Sequence, residues 1–316
     1  MRISTTSDND LQLVSTVPED MQHFQIFGSE PSYGTGTFGR LFFQRVKEKR
    51  YTFWLTIYQP VENTIIHVQE ENPWLGFRVM LKHHIHHIVN GSLDSYLKQG
   101  QFNFGYSPTI ESKFELKKGM EYCTFDMLVD KEIFNSINRS DNLLDKFLRT
   151  IKKEYPALLF PFALWCNAYS QDAIENLMKY PRDEFLAMQV IKSLLETPAD
   201  NTGRVNLTES NIEAICHTRD IIRENVQTHT SIKDLAKKSG INSRLLKTGF
   251  FHIFRKTPYQ YLLYERLKLA KQLLDTTDLS IQMIAERTGF HFDTSLIKAF
   301  KKEFHQTPHA WRKTKA

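Results

Sequence analysis

Two groups of polar side chains in the C-terminal third have the types and spacing to read a polyanion. Ser243, Arg244, Lys247 and Thr248 form one, and Asp293, Ser295 and Lys298 the other. Residues three and four apart share a helix face. Opposite each group runs an apolar stripe, Leu246, Phe250, Ile253 and Phe254 in the first case and Leu296, Phe300 and Phe304 in the second. A helix held by such a stripe can lie in the major groove of DNA with its free face toward base edges and phosphates. There Arg244 and Lys247 would donate to guanine, each good bidentate contact giving about 1–3 kcal/mol of discrimination. Asp293 repels phosphate and can only accept from a base amine, so the second group is expected to read few bases and mainly to anchor the backbone. A solvated helix face would carry the same residue types, and the surrounding elements decide between the two.

Those elements form one pattern present twice: a short helix opened by a hydroxyl cap, a turn containing Gly, a second helix, then Pro. Thr230 or Ser231 caps the first copy, Gly240 makes its turn and Pro258 follows; Ser280, Gly289 and Pro308 do the same in the second. This spacing predicts two helix-turn-helix units, about 231–258 and 280–308. A helix over 208–226, capped by Thr208, opens the domain, and one over 259–275 joins the units. A single joining helix sets their separation, so both recognition helices are expected in successive major grooves, about 34 Å apart.

Ile241, Pro258, Tyr261, Leu262, Arg266, Leu267, Ala270 and Leu273, together with Ile284, Ala285, Gly289, Phe290, Phe300, Phe304, Thr307, Pro308 and Arg312, resemble the AraC/XylS family of bacterial transcription regulators. The resemblance is specific because two units agree at fixed separation. It implies base contacts from Arg244, Lys247 and Thr248, a hydroxyl-to-phosphate contact from Thr294, a phosphate contact from Arg312 and a packing role for Trp311. Where the family commonly has Gly after each recognition helix, this chain has Arg255 and His305, which puts the cap geometry in question and not the fold. The resemblance further implies promoter DNA and RNA polymerase as partners, a homodimer, an activating output, and an N-terminal cupin-like sensor for a small-molecule effector whose identity is unknown. The order of features around Gly100–Phe102 and Gly119 is similar to the siderophore-sensing branch.

Charge divides the same way. The net charge of +5 combines 20 basic and 11 acidic residues from Arg204 onward, net +9, with −4 for the rest. A basic third beside a mildly acidic remainder suits a DNA-binding domain and a separate sensing domain. Cys123, Cys166 and Cys216 are far apart and form no Cys-x-x-Cys pair, so neither a disulfide framework nor a zinc module is expected, and a reducing cytoplasm is the expected compartment. The polar, acidic first twenty residues lack an apolar leader core, and no apolar run is long enough to span a bilayer. No nucleophile–base set or phosphate loop stands out, and no cofactor is expected.

Upstream, the period to about residue 130 is that of β-structure. The 47–50 turn, Asn90-Gly91, Gly100 and Lys118-Gly119 punctuate roughly eight short strands, predicting an antiparallel barrel or jelly roll as a ligand-sensing domain over 1–130. The aromatic residues Phe42, Phe53, Trp54, Trp74, Phe77, Phe102, Phe104 and Tyr106 line a cavity or simply fill the core. Arg78 and Lys82 share a strand face and suit an anionic effector. His83, His84, His86 and His87 raise a metal hypothesis, but a strand offers at most two of them per face and no carboxylate follows His86, so no metal is expected. The candidate ligand set is Trp54, Phe77, Arg78, Lys82, His84, His86 and Phe104. Over 131–204 the period turns helical, with stripes at Ile133, Phe134 and Ile137, at Leu143, Leu144, Phe147, Leu148 and Ile151, and again from Ala173. These helices pair across a dimer axis or cover the open barrel face; 197–207 has linker composition and leads into the DNA-binding domain over 205–316. Two alternatives to a ligand-responsive regulator are a metal-dependent cupin enzyme fused to a DNA module and a regulator without an effector.

Overall fold

The computed structural model describes residues 2–6, 11–130, 133, 142–151, 154–160, 162–197 and 207–313. It divides into two compact units, Met1–Gly203 and Arg204–Ala316. The first runs β1 (Arg2–Thr5), β2 (Glu30–Gly36), β3 (Gly39–Lys47), β4 (Tyr51–Pro60), β5 (Thr64–Glu70), β6 (Trp74–Lys82), β7 (Ile85–Val89), β8 (Leu93–Leu97), β9 (Gln101–Ser107), β10 (Ile110–Leu116) and β11 (Tyr122–Val129). Helix α1 (Asn142–Thr150), the short strands β12 (Ala157–Leu158) and β13 (Leu164–Trp165), α2 (Ala168–Lys179) and α3 (Glu184–Leu195) complete it.

The strands form the expected antiparallel β-domain as two sheets, which do not close into a barrel. One sheet has the order β1-β5-β10-β7-β8, the other β12-β9-β6-β11-β4-β3-β2 with β13 also on β9. The reason lies in strands such as β4, whose run Phe53-Trp54-Leu55-Thr56-Ile57-Tyr58 is apolar on both faces. A strand of that kind belongs to a middle layer. Phe53, Leu55 and Ile57, with Phe77, Phe102, Phe104 and Phe125, pack against Phe147, Ile174, Leu177, Val190 and Leu194 of the helices. On the other face Tyr58, Met80 and Tyr122 meet Ile66, Ile85, Leu97 and Phe114 of the smaller sheet. The helices therefore cover one face of the larger sheet. Phe134 and Ile137 lie outside the described residues, as does most of the 197–207 linker.

Turns fall where the chain marks them. Asn90 and Gly91 both take positive φ, 50° and 65°, as a tight hairpin turn between β7 and β8 requires. The run 77–89 is not one strand, because His83 also takes positive φ, 60°, and separates β6 from β7.

The second unit is helical: α4 (Glu209–Glu224), α5 (Ile232–Lys238), α6 (Ser243–Phe254), α7 (Pro258–Thr276), α8 (Ile281–Arg287), α9 (Asp293–Phe304) and α10 (Pro308–Lys313). Thr208 caps α4 through its side chain, and Thr257 with Gln260 forms a reciprocal capping box on α7.

Candidate functional site

Helices α6 and α9 are each 12 residues long and are held from behind by matching aromatic groups. In the first helix-turn-helix Phe250 packs on Phe254 at 4.5 Å and edge-on to Tyr261 at 5.5 Å. In the second Phe300 packs on Phe304 at 4.5 Å and edge-on to Trp311 at 6.1 Å. Leu246 and Leu296 are fully buried at equivalent places. Trp311 is indeed an anchor: its Nε1 donates to Asp275 Oδ1 at 2.8 Å, and the Lys271 ammonium lies 4.9 Å from its ring.

The opposite faces are open. Arg244, Lys247 and Thr248 are exposed on α6 and Ser243 is half-buried; Asp293, Thr294, Ser295 and Lys298 are exposed on α9. Arg244, Lys247 and Lys298 make no ion pair among the described residues. The arginines of α4 and α7 are engaged instead. Arg223 binds Glu265 at 3.2 Å, Arg219 binds Asp220 at 2.8 Å, and Arg266 donates to the carbonyls of Val226 and Gln227. Arg312 belongs with this second set, since its Nη2 donates to the Leu279 carbonyl at 2.7 Å. Thr248 donates its hydroxyl proton back to the Arg244 carbonyl at 2.9 Å, leaving the oxygen to accept.

The two helix starts differ. Asn242 caps α6 by accepting from Leu245 N at 2.8 Å. The corresponding residue before α9 is Phe292, which supplies no side-chain cap and is 69% exposed. Asp293 compensates in part, its Oδ1 accepting from Thr294 N at 2.6 Å where the helix dipole favours negative charge. Sequence reading missed Phe292, although an aromatic residue directly before an acidic first turn is a visible irregularity.

The two helix-turn-helix motifs are joined by α7, 19 residues long and hence about 28 Å. Two contacts reinforce it: Gln227 Nε2 donates to the Arg287 carbonyl at 2.8 Å, and Arg266 stacks over Phe290 at 5.9 Å.

In the first unit the seven candidate ligand residues do not converge. Trp54 and Arg78 face the space between the sheets, where Arg78 Nε donates to Asp126 Oδ1 at 2.6 Å. Phe77 and Phe104, 4.7 Å apart and fully buried, lie on the other face against the helices. Lys82 pairs with Glu121 at 2.8 Å, and that contact, after the opposing effect of burial, helps hold the Glu121 carboxyl below its usual range. His84 lies before β7 and His86 on its exposed face, both against Tyr96 at 5.8 and 6.0 Å. The face-sharing expected of His83 to His87 on one strand fails because β7 begins only at Ile85. Among the described residues no three His, Cys, Asp or Glu side chains gather around a possible metal position. His87 points inward, and burial, then the Arg78 charge, push its pKa down to about 3.

Residues 235–314 match a family model described as a helix-turn-helix domain. Over 82 residues the chain is 38% identical to the HTH-type transcriptional regulator AlkR of Acinetobacter baylyi, covering 26% of this chain and 27% of that protein. It is 29% identical over 128 residues to the lactose operon transcription activator of Staphylococcus xylosus, covering 39% and 44%. With the regulatory protein SoxS of Salmonella typhimurium it shares 32% identity over 91 residues, 29% of this chain and 85% of SoxS. The chain thus spans less than half the length of the first two relatives and most of the third.

Proposed function

From the premise that the chain belongs to the AraC/XylS family of transcription regulators, we propose that it is a ligand-responsive, sequence-specific DNA-binding regulator whose α6 and α9 enter neighbouring major grooves. The observation that carries this reading is the division of cations in the second unit. The arginines of α4 and α7 and Arg312 are tied to carboxylates and carbonyls, whereas Arg244, Lys247 and Lys298 stand exposed on the two recognition faces. Unpaired cations on a rigid, backed helix are preorganised for phosphate and guanine. The roughly 28 Å of α7 is of the order of the ~34 Å between successive groove faces.

The first unit acts as the sensor. An effector that prefers one conformational state shifts the population able to bind DNA or to touch RNA polymerase, with activation as the output. A homodimer working on promoter DNA in the cytoplasm completes the reading; no described helix is long and apolar enough to cross a membrane.

Selection of genomic DNA fragments by the purified protein tests it. Two direct half-sites about one helical turn apart are expected, with the motif lost when Arg244→Ala and Lys247→Ala are combined. Strong retention of DNA without an enriched motif would mean that α6 reads no bases. Affinity for the selected site should also fall steeply between 50 and 200 mM salt, about as the number of phosphates contacted dictates. A melting-temperature screen with metabolites and iron–siderophore chelates tests the effector and the siderophore resemblance together.

A further inference from the structure

The two sheets of the first unit enclose a cavity whose lining is unlike the rest of the core. Its walls are mainly apolar, including Trp74, Leu93, Leu97, Ile110 and Leu158, and its space amounts to about 530 Å3, part of it open to solvent. It shares Arg78, Ile110 and Ser112 with an adjoining space of about 560 Å3 beside Trp54, Thr56 and Tyr58.

Three polar groups reach this space with hydrogen-bonding capacity unused. Arg78 gives its Nε to Asp126, which also accepts from Thr124 Oγ1 at 3.1 Å and is 1% exposed. No described residue accepts from the terminal nitrogens of Arg78, and 27% of its side chain stays accessible. Ser112 Oγ and His87 Nδ1 are buried without a hydrogen-bond partner among the described residues. Each unmet buried group costs about 1–3 kcal/mol. Apolar replacements at 87 and 112 would avoid that cost, and the adjacent inward positions of the same sheet, Ile85 and Phe114, are filled in just that way.

The chemistry of the groups names their complement. The Nη1/Nη2 edge of a guanidinium takes a planar pair of oxygens, and a serine hydroxyl beside it donates to a remaining lone pair. Although Asp126 balances the Arg78 charge, the positive field still reaches His87 and adds to the effect of its burial. We propose that this cavity binds a small monocarboxylate, whose oxygens accept from the terminal nitrogens of Arg78, from Ser112 Oγ and from His87 Nδ1–H, and whose apolar body lies against Trp74, Leu93 and Ile110. The proposal rests on the reading of the first unit as a ligand sensor and specifies its ligand class.

Melting temperatures of the full chain with benzoate, phenylacetate and hexanoate, each against its amide and against sodium sulfate, test the site. At least one acid raises the melting temperature saturably, and the matching amide requires at least about tenfold more for the same shift. Ser112→Leu fills the cavity, keeps or raises the unliganded melting temperature, and abolishes the acid's effect. The double variant Arg78→Gln with Asp126→Asn removes both charges together, leaving none buried alone, and loses the preference for acid over amide. A flat response to all three acids, an equal response to amide or sulfate, or an unchanged response in folded Ser112→Leu overturns the proposal. Titration onto the selected DNA site separates the two readings. An acid that binds without altering DNA affinity keeps the carboxylate site and removes the sensor function. A metabolite that alters DNA affinity while no acid binds keeps the sensor and removes the carboxylate site.

Discussion

Arg255 and His305 end the two recognition helices in left-handed conformation, with φ of 54° and 58°. Side chains with a Cβ are strained there and Gly is not. Arg255→Gly and His305→Gly should each stabilise the second unit by about 0.5–1 kcal/mol, read as a rise in the urea midpoint at constant slope. Gly249 behaves in the opposite way. A Cβ on it would run into Ile215 and approach Leu207 at 3.2 Å, so its place inside α6 reflects close approach to α4 and not drift. Gly249→Ala therefore destabilises by about 1–3 kcal/mol despite its better helix propensity, and a rise in stability would refute that packing account. Of the residues in the proposed DNA interface, Arg244, Lys247 and Lys298 could be found by counting positions. The unused atoms of Arg78, Ser112 and His87 could not, because alternation along a strand tells which face a side chain takes and not what it meets across the sandwich.

Among the elements, α7 has the most to say about function. Tyr261 in its first half packs on Phe250 and Phe254 of the first helix-turn-helix, and Leu267, Ala270 and Leu274 in its second half on the core of the second. Inserting one Ala after Glu265 would turn the second helix-turn-helix by about 100° relative to the first, since a helix has 3.6 residues per turn. Helix content by circular dichroism should stay near that of the parent, while affinity for the selected DNA site should drop to that of either unit alone. Retained affinity would mean that the two units bind independently of their spacing. The α7 caps, the duplicated turns and the Asn90-Gly91 hairpin are local chemistry and are legible in the chain. The break at His83 was not, because a positive φ at a non-Gly residue has no compositional mark.

At the scale of the whole molecule, each unit has its own sensitivity to solution conditions. Burial pushes the His87 pKa down to about 3 in the folded chain from its ordinary value of 6.5. Between those values the unfolded chain binds a proton that the folded one does not, so stability is complete above about pH 6.5 and declines as pH falls toward 3. The first unit should lose on the order of a few kcal/mol between pH 7 and 4 through this group, and His87→Gln should flatten that decline in urea titrations followed by tryptophan fluorescence. An identical pH dependence in His87→Gln would show that the ring is not buried neutral. Salt acts on the second unit's DNA binding instead, through counterions released from phosphate.

The amino-acid sequence by itself determined the tandem helix-turn-helix units, their caps, the exposed polar faces of α6 and α9 and the division of charge, because each is written at helical or turn spacing within a few residues. Only the tertiary structure decided that the β-region is two sheets with the larger one buried on both faces, that Arg312 is held by a carbonyl, that Gly249 marks a close approach, and that Arg78, Ser112 and His87 share one cavity. Those relations join strands and helices far apart in the chain. They depend on which surfaces meet, and periodicity within one element carries no record of its partner.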